Sequence, residues 1–215
     1  MSLRPFWYLN NQLFKRRIFE GMRQTRTRNL IKISIFGALA FVVMLIEFPL
    51  GIFPDFLKLD FSDSVALIIS FALGPLSGVA VEFLKNVLHL FVTKTAGIGE
   101  FANFIIGGCF VFVAGYIYSR NRTKKGAILA LVISTVVFSI WAGILNYFVL
   151  LPLYEKALKF PITEIVKLAA KFNSLITDKF TLVLFSIIPF NLIKGSIISI
   201  VTFVLYKRLS KIVKR

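Results

Sequence analysis

Cysteine and histidine occur once each in this 215-residue chain, at Cys109 and His89, and acidic residues are scarce, 10 against 26 Lys and Arg. A lone cysteine excludes an internal disulfide, and a lone histidine excludes two-histidine zinc sites and the HExxH arrangement. Nowhere does a lysine directly follow a glycine, so a Walker A loop, which needs that lysine to reach nucleotide phosphates, is absent. Charge itself is sparse. Charged residues make up 17% of the chain, below the roughly 25% of an average soluble protein, while 57% is hydrophobic and the mean hydropathy is +0.81. Too little polar surface remains to cover a water-exposed particle, which rules out a secreted or cytosolic enzyme and indicates a membrane protein.

Apolar runs of about 20 residues, at about 1.5 Å each, cross a hydrocarbon core of about 30 Å. That ruler predicts an all-α bundle of six transmembrane helices, over residues 30–50, 62–74, 76–95, 99–119, 126–150 and 181–206. Ala38-Leu39-Ala40 mimics a signal-peptide cleavage site, but the run continues past it and further runs follow, so 30–50 is taken as a retained first helix. The second run is short and ends at Gly74-Pro75, where glycine closes one helix and proline opens the next. Residues 1–29 mix Arg16, Arg17, Arg23, Arg26 and Arg28 with Phe6, Trp7, Leu13 and Phe19, a pattern suited to a helix lying on anionic lipid. The expected division is therefore a basic interfacial segment 1–29, a membrane domain 30–208 and a basic tail 209–215.

The net charge of +16 flanks the apolar runs and forms no continuous stripe, which argues for membrane orientation and against nucleic-acid binding. Residues 1–32 hold eight Lys and Arg, 119–125 hold four and 207–215 hold five. All three fall on one side of a six-span layout, so both termini are expected in the cytoplasm, with loops 51–61, 95–99 and 151–180 outside. Within 151–180, Ile165, Val166, Leu168, Ala169, Phe172, Leu175 and Ile176 recur at helical spacing beside lysines, which predicts an amphipathic surface helix.

Ionisable groups inside apolar spans cost about 2.5–3.5 kcal/mol each on insertion scales, so their placement carries information. Glu82, Lys85, Asn86 and His89 share one face of the third span, at i, i+3, i+4 and i+7. Glu100 and Asn103 pair on the fourth, Asn146 closes the fifth, and Asn191 and Lys194 pair on the sixth. Isolated polar residues often bond between helices for about 0.6 kcal/mol, but such glue has no reason to favour one half of the bilayer. Apart from Glu82 and Lys194, near the middle, every one of these groups lies in the outer half, which predicts an outward-facing cavity. Amides, carboxylates and lysines among Phe and Tyr suit a neutral, hydroxylated aromatic ligand better than an inorganic ion. Ser34 and Ala38, with Gly37 beside them, form a small-xxx-small pair that lets helices approach closely, within the bundle or against a partner.

Several segments in this order resemble one family. They are Phe56-Leu57-Lys58-Leu59-Asp60-Phe61-Ser62-Asp63 before a short second helix, Gly74-Pro75, Glu82-Phe83-Leu84-Lys85-Asn86, Gly99-Glu100-Phe101-Ala102-Asn103 and Asn191-Leu192-Ile193-Lys194. Together they resemble the substrate-binding S components of energy-coupling factor (ECF) vitamin transporters, of the riboflavin-specific type, over about residues 30–208. The resemblance implies a non-enzymatic, high-affinity riboflavin binder of a prokaryotic cell membrane, with riboflavin as transported ligand and no cofactor or metal; whether FMN also binds is left open. It implies a transmembrane coupling protein and two ATP-hydrolysing subunits as partners, in keeping with the missing P-loop. It further implies that Asn146, Asn191 and Lys194 meet the flavin ring or nearby polar atoms, with Lys85, Asn86, Glu100 and Asn103 available to the ring edge or ribityl hydroxyls. Loop 51–61 would act as a lid, and Ser34 and Ala38 would meet the coupling protein, although the family more often has alanine in place of Ser34. Segment 151–180 departs from the compact family pattern.

Three alternatives stand beside this: an S component for thiamine, biotin or a precursor; a small membrane enzyme using Glu82, His89 and Glu100 as acid–base groups; and a self-sufficient secondary transporter. The second lacks a nucleophile–base pair of recognisable spacing, and the third lacks inverted repeats.

Overall fold

The computed structural model describes the backbone of residues 6–214 and the side chains of residues 24–206, and it is mostly helical. Among these residues five helices are long and apolar enough to cross a membrane: Gln24–Met44, Pro75–Val92, Ile98–Arg120, Lys124–Leu158 and Lys179–Tyr206. The faces of the basic N-terminal segment and of the basic tail 209–215 lie outside the described side chains.

The elements are α1 (Phe6–Met44), β1 (Phe48–Pro49), β2 (Lys58–Leu59), α2 (Ser62–Leu73), α3 (Pro75–His89), α4 (Ile98–Arg120), α5 (Lys124–Leu145), α6 (Leu151–Leu158), α7 (Ile162–Ala170), α8 (Lys179–Leu182) and α9 (Ile188–Lys214). With 12 residues, α2 is only about 18 Å long, too short for the bilayer by itself. It is nonetheless the centre of the bundle, packed against α1, α3, α4 and α9, with Ala66, Leu67 and Ile69 wholly buried. A buried helix tolerates serines and aspartates that lipid would not, provided that neighbouring helices supply partners. Gly74, at φ +109°, ends α2 in a conformation that side-chain-bearing residues rarely adopt, and Pro75 opens α3.

Two boundaries differ from the sequence expectation. The first helix ends at Met44, not at residue 50, and the chain turns into a two-stranded antiparallel hairpin that pairs Phe48 with Leu59 and Pro49 with Lys58. The fifth helix does not stop at residue 150 but passes through a wide π-helical turn, Asn146–Leu150, into α6. A second π turn, Val183–Ile187, joins α8 to α9. Each is followed two residues later by a proline, Pro152 or Pro189. Proline has no N–H for the i→i−4 bond, and its ring crowds the carbonyl four residues back, here Phe148 or Phe185 inside the π turn. Widening the turn relieves that clash without breaking the helix.

Segment 151–180 is likewise not one surface helix. It supplies α6, a left-handed turn at Lys159, and α7, whose Ile165 and Ala169 are buried with Leu151, Ile176, Leu182 and Ile187.

Candidate functional site

A cavity of about 870 Å³ opens between the hairpin, the N-terminal ends of α4 and α9, the C-terminal end of α5, and α6 and α7. Apolar walls come from Phe138, Leu150, Leu151, Tyr154, Phe172 and Phe190, and the polar surface includes Asp60, Asp63, Asn103, Asn146, Asn191 and Lys194. Phe172 belongs to the segment that departed from the family pattern, and so do Leu168 and Lys171, which also line the cavity. That segment is therefore part of the wall.

The π turns place the two asparagines. Asn146 opens the first, and Asn191 lies one turn beyond the second. Each amide donates Nδ2–H to the carbonyl four residues back, Ala142 for Asn146 and Ile187 for Asn191, both at 2.8 Å. The bond uses one N–H of each amide and leaves the other N–H and Oδ1 able to hydrogen-bond. Lys194 contributes the complementary donor: its ammonium gives one hydrogen bond to Asp60 Oδ2 at 2.9 Å and lies 3.8 Å from Asp63 Oδ2, with further N–H capacity toward the cavity.

Beneath this floor lies a buried charge cluster. Lys85, wholly buried, pairs with Asp63 and with Glu82 Oε2 at 2.8 Å, and donates to Ser62 Oγ at 2.8 Å. Asp60 accepts from the Ser62 amide at 2.9 Å and from the Ser62 hydroxyl. The chain Glu82, Lys85, Asp63, Ser62, Asp60, Lys194 thus ties α3 to α9 through the N-terminus of α2. Burial by itself would raise the Asp60 pKa, but the Lys194 ammonium, then Lys85 and the Ser62 hydroxyl, outweigh it and hold the carboxyl well below the usual carboxylate range. Gly107 lies where α4 passes the cluster: a Cβ there would stand 2.9 Å from Glu82 Oε2, so a larger residue would push the end of Glu82 aside.

Five residues expected at the site, Glu100, Asn103, Asn146, Asn191 and Lys194, line the cavity. Lys85 and Asn86 do not. Lys85 is consumed by the buried cluster, and Asn86 donates to the Glu82 carbonyl at 2.8 Å and to Asn103 Oδ1 at 3.3 Å, bracing Asn103 from behind. Glu100 is already occupied at the rim, accepting from Thr93 Oγ1 at 2.9 Å and Thr95 Oγ1 at 3.3 Å and pairing with His89 Nδ1 at 2.8 Å. Asp60 and Asp63 were missed as site residues. Their signal was two acids three apart at the mouth of an apolar helix, in a chain with two lysines, Lys85 and Lys194, inside apolar spans.

The hairpin covers the mouth. Pro54, Phe56 and Leu57 line the cavity from above, and Phe53 packs edge-on against Phe190 of α9, ring centres 5.5 Å apart. Away from the cavity, Ser34 and Ala38 are exposed on α1, whereas Gly37 is buried against Leu84 of α3.

A cavity lined by polar and aromatic side chains in a multi-pass helical bundle is the architecture of a membrane protein that binds a small molecule. The family model for the substrate-specific component of ECF transporters matches residues 28–206, and the chain belongs to that family, one of transporter components and not of enzymes. It is 41% identical to the riboflavin transporter RibU of Staphylococcus aureus (strain TCH60), over 90% of this chain and 96% of that one. It is 35% identical to the riboflavin transporter FmnP of Bacillus subtilis (strain 168), over 86% and 93% of the two chains. Among solved structures, the S component of a bacterial ECF transporter superposes with a TM-score of 0.69 at 38% identity, covering 88% of this chain and 99% of that one.

Proposed function

We propose that this protein is the riboflavin-capturing subunit of an ECF-type importer. The observation that carries the reading is the cavity itself: two asparagine amides and one lysine ammonium line it among aromatic walls. A flavin presents at its pyrimidine edge an N–H flanked by two carbonyls, so it needs one acceptor and two donors: an asparagine Oδ1 can take the N–H, while the Lys194 ammonium and a remaining asparagine N–H give to the carbonyls, and the tricyclic ring stacks on Phe and Tyr. Asn103 and Glu100 are available to ribityl hydroxyls, Asn103 braced by Asn86, while Lys85 holds the buried cluster that positions Asp63. The names of the relatives support riboflavin as the ligand.

In this reading α2 counts as a short sixth crossing, residues 30–208 form the membrane domain, and segments 1–29 and 209–215 are cytoplasmic. The cavity then faces outward, where the hairpin acts as a lid over the captured vitamin. The chain has no P-loop, so a transmembrane coupling protein and two ATP-hydrolysing subunits supply the energy for reorientation. Exposed Ser34 and Ala38, unused inside the bundle, are the contact offered to the coupling protein.

Purified protein should carry or take up a yellow chromophore and quench added riboflavin fluorescence on stacking. Asn191→Ala and Lys194→Ala should each weaken binding by at least about 1–3 kcal/mol, because a ligand edge loses its buried partner. Colourless protein that leaves riboflavin fluorescence unchanged assigns the cavity to another vitamin, and unchanged affinity in both variants moves the site elsewhere.

A further inference from the structure

The hairpin is fastened to α9 at two points. At its tip Phe53 packs on Phe190, and at its root Asp60, the residue directly after β2, pairs with Lys194 at 2.9 Å. Phe190 and Lys194 are one turn apart on α9 and both line the cavity, with Asn191 beside them. Asp60 is only 4% exposed and is itself oriented by the amide and hydroxyl of Ser62, which Lys85 holds in turn. The carboxylate therefore cannot swing freely between partners: one oxygen is committed to Ser62 and the other to Lys194. Lys194 is the flexible member, a four-carbon stem whose ammonium would otherwise choose between Asp63 and the cavity.

We infer that Asp60 is a positioning residue for ligand capture: by holding the Lys194 ammonium at the root of the hairpin, it makes the cationic donor of the cavity and the lid move as one unit. A ligand acceptor taken by Lys194 then also fixes the hairpin, which in an empty cavity is tied to α9 by the ion pair and the Phe53 contact. Asp63, 3.8 Å from the ammonium, is the alternative partner that Lys194 turns to when Asp60 is removed. The inference rests on the riboflavin-binding reading, and it reaches beyond that reading by giving a role to a residue that need not touch the ligand.

The test uses the full chain in lipid nanodiscs, with riboflavin fluorescence quenching for the wild type, Asp60→Asn, Lys194→Met and the double variant. Asp60→Asn should raise Kd at least tenfold in the wild-type background and less than twofold in the Lys194→Met background. The same loss in both backgrounds, or none in the first, overturns the inference while leaving riboflavin binding intact. A wild type that does not bind riboflavin overturns the functional reading, and the positioning role falls with it. If Asp60→Asn is not recovered as monodisperse protein, Asp60→Glu replaces it under the same criterion.

A second measurement needs no ligand and decides the case when a variant binds too weakly to titrate. Buried Pro54 of the lid is replaced by cysteine in a Cys109→Ser background, and maleimide labelling of the ligand-free protein is timed. Asp60→Asn and Lys194→Met should each speed labelling at least fivefold, and the double variant no more than either. Rates equal to the parent, or effects that multiply, overturn the clasp.

Discussion

Lys85 and Lys194 are the same residue type in the same kind of apolar surroundings, yet they do different work. Lys85 lies between Asp63 and Glu82 with no cavity exposure, so its removal leaves two buried carboxylates short of a counter-charge. Breaking a buried pair in this way costs about 3–5 kcal/mol. Lys85→Met should therefore lower the melting temperature of the purified protein by at least about 6 °C, the shift expected for a domain of this size. A Glu82→Gln change in the same chain should restore part of the loss, since one of the stranded charges is gone. A Lys85→Met protein that melts with the wild type would show that the cluster holds nothing together. Asp60 makes a prediction of opposite kind, about pH. Its folded pKa lies below its unfolded value of about 3.9, so its contribution to stability is present above that value and lost as pH falls through the folded one. The melting difference between wild type and Asp60→Asn should stay level from about pH 8 to about pH 5 and shrink only in stronger acid; shrinkage within that range contradicts the ion pair.

At the level of elements, the two π turns decide where the asparagines stand. An α-helix advances about 100° per residue, so one residue more or less in a turn swings every side chain beyond it to another face. Pro189 keeps the Val183–Ile187 turn wide, and Asn191 follows directly. Pro189→Ala restores the missing N–H and removes the ring clash, which favours rewinding to a regular helix. Helix content by circular dichroism should be kept while riboflavin affinity falls at least tenfold, about 1.4 kcal/mol. Unchanged affinity would separate the π turn from the site. The hairpin belongs to the same scale. Its strands are only two residues each, too short to persist alone, so its position depends on what α9 offers it.

The whole molecule offers two surfaces at different places, the cavity proposed for the ligand and the exposed small-residue face of α1 proposed for the coupling protein. If they serve separate events, they should be separable by mutation. Ala38→Trp should abolish co-purification with the coupling protein and leave riboflavin quenching within about twofold of wild type, since steric bulk outside the bundle disturbs contact there without entering the cavity. Parallel loss of both activities would point to a fold defect.

Apolar length, charge asymmetry and the 3.6-residue recurrence of Glu82, Lys85, Asn86 and His89 are properties of the chain, and they were enough to indicate a helical membrane protein with polar groups gathered on particular helix faces. Periodicity assigns a residue to a face but does not say which neighbour that face meets. Lys85 and Asn86 share their face with groups nearer the cavity, and only the packing of α2 and α4 against α3 shows Asp63 taking the first and Asn103 the second. Segment 151–180 had the spacing of a surface helix. That it folds inward and walls the cavity depends on Pro152 being absorbed by a widened turn, which carries the fifth helix past its expected end. Burial of Asp60 was invisible for the same reason. A carboxylate beside an apolar helix is costly until a specific ammonium, 134 residues away in sequence, is brought to 2.9 Å, and only the tertiary fold can do that.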